Sequence, residues 1–336
     1  MARVVRFHEL GGPEVLQIEE QRLAAPGAGE VLLDVEAIGL NRSEANFRRG
    51  RYLDRVGALP SGLGYEGAGR VRTVGEGVAG VTVGETVSVL PVFPQSRYHM
   101  YGEQAIVPAS ALVHRPHTVD AVTGAAVWMP FLTAYGALVD IGRLRPGDHV
   151  VVTAASSSVG LAAIQTALRV GAIPIATTNN PGKEQRLRDE GAAAVVVPGR
   201  DDVATAILDL TAGRGAQIVF DAVAGPAVED LARATAPEGI LFVHGTLSDQ
   251  PTPLPGLDTM RPLFIRPYTL FEITGDARRL QRAQHFITTG LQSGAFAPVI
   301  DRAFALDDIV QAHAYLESGK QIGKVVVTVA HQEASA

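Results

Sequence analysis

Residues 149–170 read HVVVTAASSSVGLAAIQTALRV. His149–Thr153 is an apolar, β-branched run, the pattern of a strand buried on both faces. Val159–Val170 reads as a helix, and a short small-residue turn joins the two. In α/β folds such a turn exposes N–H groups at a helix N-terminus, and with the helix dipole they hold a pyrophosphate. The turn is not Gly-x-Gly-x-x-Gly: serines stand where glycines are expected, and Gly160 alone keeps the glycine. Ser157, Ser158, Val159 and Gly160 are the candidate phosphate-binding residues. An ordinary serine N-cap explains the same residues without a ligand.

Working outward, strands and helices alternate. Pro174–Thr177, Ala194–Val197, Ile218–Ala222 and Ile240–His244 read as strands; Lys183–Glu190, Val203–Thr211 and Val228–Thr235 read as helices. This alternation implies a parallel, doubly wound sheet. NAD-binding folds usually end their second strand on an acid that accepts from the ribose 2′-hydroxyl. Here that end reads Ala176-Thr177-Thr178-Asn179-Asn180-Pro181-Gly182-Lys183, with no acid. Nothing repels a 2′-phosphate, Thr178 and Asn179 can donate to it, and Lys183 supplies a charge. A solvated first-turn lysine is the plainer reading of Lys183. The balance favours NADPH over NADH.

Upstream the texture is β-rich. Val31–Ala37, Gly67–Val74, Glu85–Leu90 and Gln104–Pro108 read as strands, with turns at Gly75, Gly77 and Gly80. Downstream, Pro251–Pro267 reads as a linker, Arg278–Gly290 and Asp307–Ser318 as helices, Lys324–Val329 as a last strand, and His331–Ala336 as a disordered tail. The helical cluster Arg278, Arg279 and Arg282 reads as a solvated face. Ala121–Val139 and Val150–Leu168 are uncharged and just long enough to span a membrane. Pro130 and glycines in the first, and three serines in the second, make them buried core segments instead.

A length of 336 residues suggests about two domains. The 29 Lys and Arg against 35 Asp and Glu give a net charge of −6, without the basic footprint of a nucleic-acid binder. The absence of cysteine excludes disulfides, thiol catalysis and thiolate zinc sites. The start carries no apolar signal-peptide core, so a cytoplasmic protein is expected.

Several segments carry a resemblance. They are Gly11-Gly12-Pro13-Glu14-Val15-Leu16, Gly39-Leu40-Asn41-Arg42-Ser43-Glu44, Arg49-Gly50-Arg51-Tyr52 and Gly62-Leu63-Gly64-Tyr65-Glu66-Gly67-Ala68-Gly69. Leu132-Thr133-Ala134-Tyr135, Arg145-Pro146-Gly147-Asp148, the serine turn, Phe220-Asp221-Ala222-Val223-Ala224-Gly225 and Ile322-Gly323-Lys324-Val325-Val326 follow. In this order and spacing the chain resembles the medium-chain dehydrogenase/reductase superfamily, within it the zinc-free quinone oxidoreductase-like branch, over nearly its whole length. The resemblance implies an α/β protein. A GroES-like, β-rich catalytic domain is built from residues 1–122 and 266–336. A Rossmann domain with a doubly wound parallel sheet, residues 123–265, is inserted and binds NADPH. Substrate and nicotinamide are expected to meet between them. A homodimer through the Rossmann sheet edge is also implied, with Ile240–His244 as the expected edge, because an unpaired apolar edge invites association.

Zinc-dependent members of the superfamily carry Cys, His and Cys where this sequence has Asn41, Tyr65 and Met129. An amide, a phenol and a thioether make a poor Zn²⁺ site, so no metal is expected and hydrogen-bond donors must polarise the substrate. The resemblance places Asn41 beside the nicotinamide, bonding either its carboxamide or the substrate oxygen. It makes Tyr52 either a donor to a developing enolate or hydroquinone oxygen or a wall of the cleft. Tyr65 faces substrate, and Thr133, Gly245, Thr246 and Lys324 contact the cofactor. Asn46 stands where quinone oxidoreductases commonly carry a tyrosine, which leaves the substrate open. His99, in the aromatic loop Pro91–Gly102, reads as structural or exposed. The expected activity is NADPH-dependent reduction of a quinone or of the activated C=C bond of an α,β-unsaturated carbonyl compound. The alternatives are a metal-free carbonyl/alcohol oxidoreductase and a non-catalytic NADPH-binding protein.

Overall fold

The computed structural model describes residues 1–256 and 261–330. The chain divides into two compact units, Met1–Met129 with Ile300–Ala336, and Pro130–Val299.

The first unit is built on a seven-stranded sheet around Glu30–Gly39. Val31, Leu33, Val35 and Ala37 are buried in the period-2 alternation of a strand that covers a core on one face. This strand pairs antiparallel with Glu66–Val74 on one side, and with Gln104–Pro108 and Lys324–Thr328 on the other. Thr86–Val89 and Leu112–His114 extend the sheet at one edge, and Ile300–Ala305, parallel to Lys324–Thr328, at the other. Both ends of the chain therefore build one sheet. Its register sets Gly39 opposite Glu66 on one flank and Val326 on the other. A Cβ on Gly39 would lie 1.9 Å from the Ala125 carbonyl oxygen, so only glycine allows this approach.

The second unit holds a six-stranded, wholly parallel sheet. Its spatial order is Ala194–Val196, Ile173–Thr177, His149–Val152, Ala216–Asp221, Thr235–Val243, Phe264–Pro267. This is the expected doubly wound order, and it reverses between His149–Val152 and Ala216–Asp221. Val151, Ile175, Val196, Val219 and Leu241 from the sheet pack into one core with Ile207 and Leu231.

The structure departs from the sequence reading after Gly256. Pro251–Pro267 is not a linker throughout, because Phe264–Pro267 forms the sixth strand, parallel to residues 240–243. Four residues closed by a proline leave almost no periodic signal, and proline is tolerated there because the strand lies at the edge. Ile240–His244 is consequently interior, and the edge passes to Phe264–Pro267. Residues 266–299 pack within the second unit rather than with the β-rich one. Arg169 stacks on Phe286 and Phe296, and Gln165 exchanges hydrogen bonds with the Ala297 backbone. Arg279 and Arg282 are not simply solvated: both pair with Asp140. Ala121–Ile141 has the length and composition of a membrane span, yet 83% of its most apolar 18-residue window is buried inside the protein. Val150–Leu168 resolves into strand, turn and helix. The expected tail His331–Ala336 and residues 257–260 lie outside the described residues.

Candidate functional site

In the first unit the chain leaves its central strand at Gly39 and enters the short helix Arg42–Arg48, with Asn41 at the N-cap. The Asn41 side chain makes no capping bond and is buried. Its Nδ2 donates to the Gly39 carbonyl at 3.1 Å, to Glu44 Oε1 at 3.2 Å and to Glu66 Oε2 at 3.4 Å. Its Oδ1 accepts from Lys324 Nζ at 2.6 Å, and the same ammonium lies 2.6 Å from Glu66 Oε2. The second Glu66 oxygen accepts from the Met129 backbone N–H at 2.9 Å. Glu44 also accepts from the Tyr65 backbone N–H at 3.3 Å and the Ser43 hydroxyl at 3.1 Å.

Glu44, Glu66 and Lys324 are all fully buried. Two carboxyl groups then share one ammonium away from water, and desolvation disfavours a second negative charge. Burial pushes Glu44 up to about 7, with Lys324 opposing the shift. Sequence reasoning missed Glu44 and Glu66 as site residues. Their signal was two acids set in otherwise apolar or glycine-rich motifs. Lys324, expected at the cofactor, directs its ammonium at Asn41 and Glu66.

Tyr65, also fully buried, packs against Phe93 and Tyr52 with ring centroids 6.0 and 6.3 Å apart. Burial raises its pKa, and Tyr52 and nearby carboxylates add to the rise. Half-buried Tyr52 is not the unperturbed phenol that an open cleft suggests. Burial and then Glu44 raise its pKa, while a side-chain hydrogen bond with Tyr65 opposes them. Both phenols stay protonated through neutral pH. The structure thus brings Asn41, Tyr65 and Tyr52 together through Glu44. His99 packs over Gly62, and burial lowers its pKa.

In the second unit, the Thr153 hydroxyl donates to Asp221 Oδ1 at 2.6 Å, tying two strands at the point where the sheet order reverses. Open α/β sheets bind ligands outside the strand ends at that point. Ser157 caps the helix Ser158–Val170 by accepting from the Gly160 N–H at 3.0 Å. A Cβ on Gly160 would lie 2.6 Å from the Ala155 carbonyl oxygen, so the tight turn needs glycine there. Ser158 and Val159 open the helix, where backbone N–H groups have no intrahelical acceptor. Lys183 is buried rather than solvated, and its Nζ donates to Ser156 Oγ at 3.1 Å. Thr178 is buried and Asn179 exposed beside it. The loop carrying Gly245 and exposed Thr246 runs along the same region: Leu247 and Ser248 N–H groups donate to the Ala222 and Val223 carbonyls. His244 stacks on Phe220 at 3.9 Å, and burial lowers it to about 3, so it is a neutral strand-end residue. Thr133 is buried on the helix Trp128–Tyr135.

Residues 27–117 match the alcohol dehydrogenase GroES-like domain family, and residues 191–327 match the zinc-binding dehydrogenase family. The chain is 32% identical over 329 residues to the quinone oxidoreductase of Pseudomonas aeruginosa, covering 97% of this chain and 99% of that protein. The chain belongs to the quinone oxidoreductase-like branch of the medium-chain dehydrogenase/reductase superfamily. This quinone oxidoreductase-like chain is also 27% identical to the 2-haloacrylate reductase of Burkholderia sp., covering 97% of this chain and 98% of the relative. The crystal structure of Escherichia coli quinone oxidoreductase complexed with NADPH matches it with a TM-score of 0.88 at 27% identity, over 97% of this chain and 99% of that one. The family gives the two units their names, GroES-like and Rossmann, and makes the chain an oxidoreductase of the medium-chain type.

Proposed function

We propose that this chain is an NADPH-dependent reductase that passes hydride to a quinone or to the activated C=C bond of an α,β-unsaturated carbonyl compound, without zinc, as a cytoplasmic homodimer. The observation that carries the cofactor assignment is Lys183. Its ammonium is buried on the Ser156 hydroxyl at the acid-free end of the second strand, which favours a 2′-phosphate over a ribose hydroxyl. The E. coli relative's complex with NADPH supports the same assignment. Ser157, Ser158, Val159 and Gly160 would hold the pyrophosphate. Asn41, Thr133, Gly245 and Thr246 would lie toward the nicotinamide. Lys324 would serve it through Asn41. When bound, NADPH supplies the hydride.

The residues at the former metal positions do not fit zinc. The Asn41 oxygen already faces an ammonium at 2.6 Å, which repels a dication, and Tyr65 is a buried phenol whose raised pKa resists deprotonation. Polarisation then falls to hydroxyl donors. Tyr52, protonated and only half-buried, is the group we assign to the substrate oxygen that gains charge as hydride arrives; Tyr65 holds it from behind. The quinone and acrylate relatives support both substrate classes.

The deciding experiment follows NADPH oxidation with a quinone, an enone and an aldehyde, each with and without a chelator. Turnover of a quinone or the enone, indifferent to chelation, is expected. Turnover of the aldehyde alone, or loss of activity on chelation, would overturn the reading.

A further inference from the structure

We propose that Glu44 is a positioning residue: it locks the Asn41 carboxamide with its NH₂ inward, so that Asn41 offers its neighbours an acceptor and not a donor, and the gain or loss of the Glu44 proton changes how firmly the lock holds. This rests on the reading that Asn41 serves NADPH.

The orientation follows from the partners. A carboxamide has two N–H donors and an oxygen with two lone pairs. The Asn41 NH₂ faces three acceptors, Gly39 O, Glu44 Oε1 and Glu66 Oε2. Its oxygen faces Lys324 Nζ, which can only donate. Flipping the amide would set its oxygen among three acceptors and its NH₂ against an ammonium. In the observed orientation both donors are committed and one lone pair on Oδ1 remains. That lone pair suits an N–H donor such as the primary carboxamide of nicotinamide. It does not suit a substrate carbonyl oxygen, which needs a donor. Of the two roles open to Asn41, the geometry selects the first.

Glu44 stands three residues from Asn41 on the same short helix and is fully buried. The groups that face it come from several segments. Lys324 belongs to the strand Lys324–Thr328, and Glu66 opens the strand Glu66–Val74. Tyr65 precedes that strand, and Tyr52 and Tyr101 approach from the loops. Ser43 lies on its own helix. All three phenols have raised pKa values, so they stay neutral while Glu44, at about 7, changes state. Ionised Glu44 accepts the Asn41 N–H in a charge-assisted bond, roughly twice as strong as the neutral one. Protonated Glu44 holds the amide through a neutral oxygen.

The test uses the full chain labelled with ¹⁵N-asparagine. Only Asn41, Asn46, Asn179 and Asn180 contribute side-chain NH₂ signals, and Asn41→Ser identifies the pair of interest. Without any ligand, the Asn41 pair is expected to move through one transition near pH 7 in the wild type and to stay still in Glu44→Gln. An Asn41 signal that does not titrate, or titrates equally in Glu44→Gln, overturns the proposal. Should Glu44→Gln not fold, the wild-type transition decides alone. NADPH affinity by calorimetry is the second arm. The cofactor's own phosphate titrates near pH ~6 with both proteins, so their difference is read. Above the transition the wild type is expected to bind about five-fold tighter than Glu44→Gln, and below it equally. A difference that does not change across the transition overturns the proposal. If neither protein binds NADPH, the proposed function fails while the amide titration still decides the role of Glu44.

Discussion

Lys183 donates to the Ser156 hydroxyl at 3.1 Å although 27 residues separate them in the chain. A buried cation thereby joins the turn after the first Rossmann strand to the end of the second. Replacing it with an apolar side chain of similar length, Lys183→Met, should weaken NADPH binding about ten-fold, close to 1.4 kcal/mol. NADH binding should change little. Calorimetric titration of both cofactors at one ionic strength checks this. Equal losses for the two would make Lys183 a structural residue.

Tyr52→Phe removes a hydroxyl and keeps the ring that meets Tyr65. A donor that acts mainly on the developing charge affects the hydride step more than cofactor affinity. Single-turnover kinetics should show that step slowed about ten-fold, less than the ~10²-fold of an enclosed oxyanion donor, because solvent reaches a half-buried site. NADPH affinity should be unchanged. An unaltered hydride step, with substrate binding weakened in Tyr52→Ala, would reduce Tyr52 to packing.

Glu44 gives stability a pH dependence of defined sign. Its pKa is raised on folding, from 4.5 to about 7, so between those values the folded chain keeps a proton that the unfolded chain has lost. The Glu44 contribution to stability therefore falls as pH rises through that window, by about 1.4 kcal/mol per pH unit at most, and levels off above it. Glu44→Gln lacks this term. Urea unfolding of both proteins should show the variant gaining on the wild type up to neutrality and then holding a constant difference. Parallel curves would contradict the raised pKa.

Phe264–Pro267 ends the parallel sheet, and Phe264 is 58% exposed there. If the proposed dimer pairs through this edge, light scattering at micromolar concentration should give twice the chain mass of 35.3 kDa. Phe264→Glu should return the monomer with its circular dichroism unchanged. A monomeric wild type would remove the dimer from the reading.

The first four Rossmann strands in chain order were legible because each is a local apolar run followed by a helix of recognisable period. Phe264–Pro267 was not, since four residues next to prolines display neither period, and its neighbours had to be known first. Among the candidate site residues, the turn Ser157–Gly160 was proposed from its position between strand and helix alone. Asn41, Tyr52 and Tyr65 came through the family's motifs, not through pattern. The buried cluster was hidden for a different reason. Glu66 and Lys324 are 258 residues apart, and only sheet register brings them together. A lysine inside Gly323-Lys324-Val325-Val326-Val327 and an acid inside Tyr65-Glu66-Gly67-Ala68 are the traces such a pair leaves, because an unpaired charge could not be buried there.

The register of Gly39 between Glu66 and Val326 also sets a timetable for synthesis. The segment holding Asn41, Glu44 and Glu66 leaves the ribosome early, whereas the ammonium that neutralises it arrives 283 residues after Asn41. At about 5–20 residues per second the two carboxyl groups wait tens of seconds for their counter-charge. The intervening Rossmann unit has its whole parallel sheet encoded by then and can close on local contacts of its own. The β-rich unit must be the last to become native, and a stalled chain lacking its final strand would carry a finished serine turn in one unit and an electrostatically incomplete cluster in the other.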